Sequence, residues 1–173
     1  SVVHAWQWAI GLEWYLSVSN PWQVVMSTDH PNGGSFMAYP QVIRLLMDRS
    51  YRDEILQQLP AQVREKTCLR DHTREYSLYE IAIITRAAPA KLLGLSQKGH
   101  LGVGADADLT LYLPSSNYQE MFAMPKHVFK GGVWTVRDFE LKAAPEGTTF
   151  AVEIPNGWEA DEEIIRWTQR YYT

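Results

Sequence analysis

The stretch Trp22-Gln23-Val24-Val25-Met26-Ser27-Thr28, followed without a break by Asp29-His30-Pro31-Asn32-Gly33-Gly34, decides the fold. Its first part is a short apolar run bounded by turn residues. That pattern predicts a strand buried on both faces, the kind found in parallel sheets. The second part is a loop whose backbone is fixed by Pro31, Gly33 and Gly34. Asp29 therefore stands just past the C-terminal end of a central strand. In α/β barrels and open α/β sheets, functional side chains gather at that edge. An Asp in this position has a second reading, as the cap of its own turn.

Working outward, Trp6, Ala9, Ile10, Leu12, Trp14, Tyr15 and Leu16 cover more than one narrow face of a helix over 5–18, which predicts that it is well buried. Asn20-Pro21 ends it. Pro40 opens the next helix in the favoured first turn. Val42, Ile43, Leu45, Leu46 and Met47 form its apolar side. A second short helix runs over 51–58 and stops at Pro60. The segment 61–76 is crowded with charge and reads as a surface connection. Ser77 and Glu80 have the spacing of a capping box. They start a helix over 78–94, interrupted at Pro89.

Beyond Gly94 the character changes. Gly99, Gly102 and Gly104 lead into an alternating strand over 107–113. A helical turn follows over 117–124, then a hairpin of 127–130 and 133–136 around Gly131-Gly132. A further strand candidate lies at 148–154. A polar helix over 160–172 carries Ile164, Ile165, Trp167 and Tyr171 on its apolar side, a face expected to pack either on the body of the chain or on a companion subunit. Helices around a buried strand, then strands, then a helix make the chain α/β.

Composition narrows the function classes. Of 173 residues, 46% are hydrophobic and 12% aromatic, ample for a buried core, which excludes a disordered chain or a coiled coil. The net charge is -4 and no basic stripe appears, so neither nucleic acid nor an anionic membrane surface is an expected partner. No apolar run reaches the ~18 residues of a membrane span. Cys68 is the only cysteine, which excludes an intrachain disulfide and points to a reducing, cytoplasmic setting. The chain begins Ser1-Val2-Val3 rather than with Met and shows no signal peptide, so it reads as a fragment or a processed chain.

The histidines, His4, His30, His72, His100 and His127, form no His-x-His or His-Glu-x-x-His pattern, so no complete zinc motif is present. His30 neighbours Asp29 and can share its site. Gly99 to Gly104 lacks the Gly-Lys-Ser/Thr ending of a phosphate loop and precedes a strand rather than a helix. Asp106-Ala107-Asp108 reads either as a metal-binding pair or as a turn Asp followed by the first residue of a strand. Cys68 has no evident His partner for nucleophilic work. Ser27 lacks the Gly-x-Ser-x-Gly setting of a hydrolase elbow.

Taken together, two stretches resemble a known superfamily. Lys98-Gly99-His100-Leu101-Gly102-Val103-Gly104-Ala105-Asp106-Ala107-Asp108-Leu109 resembles the segment in which metal-dependent amidohydrolases leave their barrel and enter a small β-sandwich. Residues 85–94 resemble the last barrel helix. Two further stretches are narrower. Residues 27–34, continuing through Phe36, Tyr39 and Pro40, and residues 74–82 resemble the A subunits of formylmethanofuran dehydrogenases and of the bacterial formyltransferase/hydrolase complexes. The likeness runs over essentially the whole chain and leans towards the bacterial type.

That resemblance implies the C-terminal part of a (β/α)8 barrel over 1–97, part of a composite β-sandwich over 98–158 and a terminal helix over 159–173. Family members are roughly three times this length, and their remaining metal ligands lie upstream of anything present here. It implies an N-formyl hydrolase in one-carbon metabolism, with two zinc ions in the intact subunit. Methanofuran or methylofuran is then the coenzyme substrate and the other subunits of the complex are partners. Asp29 becomes a zinc ligand and the catalytic proton carrier, with His30 and Asn32 as substrate-binding or supporting groups. Two alternatives stand beside it: another zinc amidohydrolase of dihydroorotase or hydantoinase type, and a catalytically inactive scaffold fragment.

Overall fold

A computed structural model describes residues 1–150 and 162–172. Helix α1, Val2–Ser17, is capped by the Ser1 hydroxyl, which accepts from the His4 amide at 3.4 Å. It buries a stripe of Ala9, Leu12 and Leu16. The expected all-round burial does not occur: Ile10 is 56% and Trp14 67% exposed. That face borders an open groove with Gln23, Val24 and Val25 on its other side.

Residues 22–28 differ from the expected strand. A 3-10 turn occupies Pro21–Gln23, and the chain then runs extended without a strand ladder. Val24 and Met26 are buried while Ser27 is exposed, so one side of the segment faces the core rather than both. The reason is elementary: a parallel strand is completed by a neighbour's backbone, and the described residues supply none. The only sheet they form is antiparallel and lies elsewhere in the chain.

Helices α2 (Tyr39–Met47) and α3 (Arg49–Gln57) follow as expected. Pro40 sits in the first turn of α2, whose Val42, Ile43, Leu45, Leu46 and Met47 enter the core. Asp48 caps α3, its carboxylate accepting from the Tyr51 amide at 2.9 Å. The charged segment after Pro60 is more than a surface connection. It forms α4 (Ala61–Lys66) and a 3-10 turn, Leu69–Asp71, and it buries Val63, Thr67, Leu69 and Tyr76. Its charges point outward, and its sparse apolar side chains take the inner face.

Arg52 organises this region. It is 1% exposed. Its guanidinium donates to the backbone carbonyls of Leu45 at 2.7 Å, His72 at 3.1 Å and Arg74 at 3.0 Å, crosslinking α2, α3 and the segment that follows α4. Its fork of donors makes one side chain sufficient for three acceptors.

The Ser77/Glu80 capping box is present at the start of α5, Leu78–Ala82. A π-helical turn, Ile83–Ala87, leads into α6, Ala88–Leu92, with Pro89 in its first turn. Proline has no N–H to continue the ladder, and the wider turn absorbs the break. Gly99 then passes against this helix. A Cβ there would lie 2.6 Å from the Ala90 methyl and 2.9 Å from the Arg86 carbonyl, and φ is +76°, so only glycine fits.

The second half holds a four-stranded antiparallel sheet of β1 (Leu109–Leu111), β2 (His127–Lys130), β3 (Val133–Arg137) and β4 (Glu140–Leu141), in that order. The β2–β3 hairpin turns at Gly131-Gly132 with φ of 55° and 79°, the paired left-handed residues that match strand twist. A second tight turn at Asp138-Phe139 adds β4, which the sequence pattern does not signal. Helix α7, Tyr118–Ala123, packs on α2, with Arg44 donating to the Asn117 side chain at 3.1 Å and Tyr118 and Phe122 against the core.

Lys98 lies between Asp106 and Asp108, 2.6 Å from each, and Asp108 also accepts from the Gly131 amide at 2.8 Å. The Asp-x-Asp pair therefore ties the glycine-rich crossing to the hairpin. The strand candidate over 148–154 has no strand at 148–150, and its remainder lies outside the described residues. Helix α8, Glu162–Tyr172, carries exposed Ile165, Trp167 and Tyr171, with the Trp167 and Tyr171 rings 5.3 Å apart. Among the described residues no helix is long and apolar enough to cross a membrane.

Candidate active site around Asp29

The extended segment that carries Asp29 is anchored from three sides. The Met26 amide donates to the Ile84 carbonyl at 2.9 Å. The Tyr15 hydroxyl donates to the Val25 carbonyl at 2.8 Å, and the Tyr39 hydroxyl to the Met26 carbonyl at 3.4 Å. Tyr76 in turn donates to the Tyr15 carbonyl at 2.6 Å. Burial pushes the Tyr15 and Tyr76 hydroxyls above their ordinary range, so both stay protonated donors. Tyrosines thus hold backbone carbonyls that a neighbouring strand would otherwise pair. Spacing alone does not reveal this clamp, because its members come from α1, α2 and the segment before α5.

At the end of that segment Asp29 adopts φ of 50°, the left-handed region that Asp tolerates better than most residues. Its amide donates to the Ser27 hydroxyl at 3.2 Å, and its carbonyl accepts from the Gly33 amide at 2.8 Å. The turn is closed by these bonds, and the carboxylate takes no part in them. The capping reading of Asp29 therefore lacks its hydrogen bond. The exposed carboxylate lines a groove of about 310 Å³ with Gln7, Trp8, Gly11 and Tyr15 of α1 on the other wall. The Thr28 hydroxyl beside it is buried without a partner among the described residues.

His30 and Asn32 share the loop but do not line that groove. His30 is exposed, precedes a cis bond to Pro31, and sets its ring edge-on to Phe36 with centroids 4.8 Å apart. Asn32 is exposed. Gly33 folds back over Asp29, its amide donating to the Asp29 carbonyl at 2.8 Å. Elsewhere, Cys68 Sγ does have a histidine near it, His72 Nε2 at 3.7 Å. Desolvation and the Glu13 carboxylate hold the thiol above its ordinary range, the wrong direction for a nucleophilic thiolate. No group of three or more His, Cys, Asp or Glu among the described residues could hold a metal ion.

Residues 2–136 match the profile of the amidohydrolase family, and the chain belongs to it. Among individual proteins, it is 44% identical over 169 residues to the A subunit of the formyltransferase/hydrolase complex Fhc of Methylorubrum extorquens, covering 98% of this chain and 30% of that protein. It is 41% identical to the protein FwdA of Methanocaldococcus jannaschii, covering 99% of this chain and 32% of that one. The crystal structure of the FhcABCD formyltransferase/hydrolase complex from Methylorubrum extorquens with methylofuran contains a chain that superposes with a TM-score of 0.86 at 41% identity. The match covers 99% of this chain and 32% of that one. The chain spans about a third of the length of these relatives. The family match supports the expected class of fold, while the described residues themselves show helices and one antiparallel sheet rather than a closed barrel or a two-layered sandwich.

Proposed function

We propose that this chain is a portion of an amidohydrolase subunit that hydrolyses the N-formyl group of formylmethanofuran or formylmethylofuran to formate, or forms it in the reverse direction. Its partners are then the other subunits of a formyltransferase/hydrolase or formylmethanofuran dehydrogenase complex. The observation that carries the reading is the Asp29 carboxylate, exposed to a groove and left unused by its own turn. The relatives' names and the methylofuran in the matched complex support the substrate class. The division into barrel portion 1–97, sandwich portion 98–158 and helix 159–173 belongs to the same reading, as does a cytoplasmic location.

A zinc centre is built from several converging donors. Among the described residues no group of three or more donors converges, so Asp29 fits as a single ligand of a two-zinc site completed by ligands outside them. When bound, zinc supplies a water that ionises near neutral pH and polarises a carbonyl.

Asp29 does the proton work. Its carboxylate takes a proton as the oxygen of water bonds to the formyl carbon. It then gives that proton to nitrogen as the carbon–nitrogen bond breaks, so that formate and the free amine leave. The clamp on Val25 and Met26 fixes where that carboxylate stands. His30 and Asn32, exposed on the same loop, are proposed to meet the substrate.

The test is a substrate panel on the intact subunit in its complex. Formate release from an N-formylated furan amine, with no turnover of dihydroorotate or hydantoin, is the expected result. Turnover of the cyclic amides alone would replace this function by that of a cyclic-amide hydrolase.

A further inference from the structure

We infer that Gly33 is a positioning residue for the Asp29 carboxylate, an assignment that rests on the proposed role of Asp29. A Cβ on Gly33 would lie 3.0 Å from Asp29 Cβ, 3.0 Å from the Thr28 carbonyl and 3.3 Å from Asp29 Oδ2. Each of these is inside the ~3.5–4.0 Å at which carbon contacts are comfortable. The crowding falls on the backbone that presents Asp29 and on the side chain itself. The Gly33 amide meanwhile donates to the Asp29 carbonyl at 2.8 Å, so residue 33 cannot swing away without opening the turn.

The usual reason for glycine is absent here. Gly33 does not have a left-handed φ, so alanine meets no intrinsic backbone penalty at this position. What glycine provides is room on the Asp29 side of the loop. Gly34, one residue on, is the natural control. A Cβ there meets the Thr28 carbonyl at 3.5 Å, an ordinary contact, and reaches no atom of Asp29. The two glycines are adjacent, equally plain in the sequence, and differ in whether a methyl group would press on the carboxylate.

The experiment compares Gly33→Ala, Gly34→Ala and Asp29→Asn in the full-length subunit within its complex. The readouts are kcat and KM for the N-formyl substrate, melting temperature and zinc content per subunit. A displacement of about 1 Å in a reacting group can cost ~10²-fold in rate. Gly33→Ala is expected to lose kcat on that scale while KM and melting temperature change little, and to hold zinc less completely. Gly34→Ala adds its methyl to the same groove without reaching Asp29, and it is expected to keep kcat while KM rises. In the Asp29→Asn background, Gly33→Ala is expected to add no further loss, since it acts through the same group. Equal kcat of the two alanine variants beside an inactive Asp29→Asn would overturn the positioning role and leave the Asp29 assignment standing. An active Asp29→Asn would remove the reading on which both depend.

Discussion

The amide of Met26 donates to the carbonyl of Ile84 at 2.9 Å, an acceptor that Pro89 leaves without a helical donor. In the π-helical turn the Ala88 amide reaches back to Ile83. The next donor that would serve Ile84 belongs to residue 89, and proline has none. The freed carbonyl takes the Met26 amide and fixes the extended segment three residues before Asp29. A helix break that costs local regularity thus supports the candidate site.

Arg52 should be the least replaceable charged residue in this part of the protein. Arg52→Met removes three hydrogen bonds and strands the carbonyls of Leu45, His72 and Arg74. Losses of about 2–4 kcal/mol are expected from leaving such groups unpaired. Arg52→Lys should recover only part of this, because an ammonium cannot reproduce the fork. Denaturant unfolding of the full-length subunit measures both. A Met variant as stable as wild type would show that the crosslink contributes nothing.

The Lys98 cluster sets a pH dependence of stability. The Lys98 ammonium, and then the Gly131 amide, hold the Asp108 carboxyl below its ordinary 3.8. Hydrogen bonds to Asp106 and Asp108 raise Lys98 above 10.5. A lowered carboxylate stabilises the fold above its unfolded pKa and ceases to as pH falls through its folded value. A raised lysine stabilises below 10.5 and ceases to as pH rises through its folded value. Lys98→Met should therefore lower the melting temperature at neutral pH, with its curve converging on wild type at the acid end. A constant offset between the two curves down to the acid end would contradict the ion-pair origin.

Glu80 adds to the acid side of that dependence. Burial alone would raise its carboxyl, but hydrogen bonds from the Ser77 backbone and Arg74 outweigh it and hold it below 4.5. Glu80→Gln can still close the capping box, but it loses the charge partner of Arg74 and should cost about 0.5–1 kcal/mol at neutral pH. That difference should shrink as the pH falls below the ordinary carboxylate range. Melting curves across pH check the sign.

Much of this architecture is legible in the sequence, and the failures have specific causes. Pro40, the Ser77/Glu80 pair and Gly131-Gly132 act within a few residues of themselves, and each does what its local chemistry requires. The strand at 22–28 depends on a partner backbone, and no window of sequence contains one. The segment 61–76 misleads because Arg64, Glu65, Lys66, Arg70 and Arg74 outnumber Val63, Leu69 and Tyr76, which are what the core takes up. Asp29 can be picked out by its place after an apolar run. The tyrosine clamp and the crowding at Gly33 cannot, since both arise from contacts between distant or folded-back parts of the chain.

The isolated 173-residue chain should hold no stoichiometric two-zinc centre and release no formate, because a single carboxylate does not hold zinc against water. It should also self-associate through exposed Ile10 and Trp14, which flank the unpaired extended segment. Metal analysis and light scattering across concentration check the two statements. Two tightly held zinc ions per chain would show that the ligand set is more complete than Asp29.

The central claim is that Asp29 carries the proton between water and the departing amine. The decisive measurement is kcat for N-formyl hydrolysis by the full-length subunit bearing Asp29→Asn, in its complex and at a zinc content matched to wild type. Asparagine keeps the shape of the side chain and cannot accept the proton. The account predicts a loss of ~10²–10⁴-fold, the range for removal of one catalytic acid–base group. A rate within tenfold of wild type at full zinc loading would contradict it.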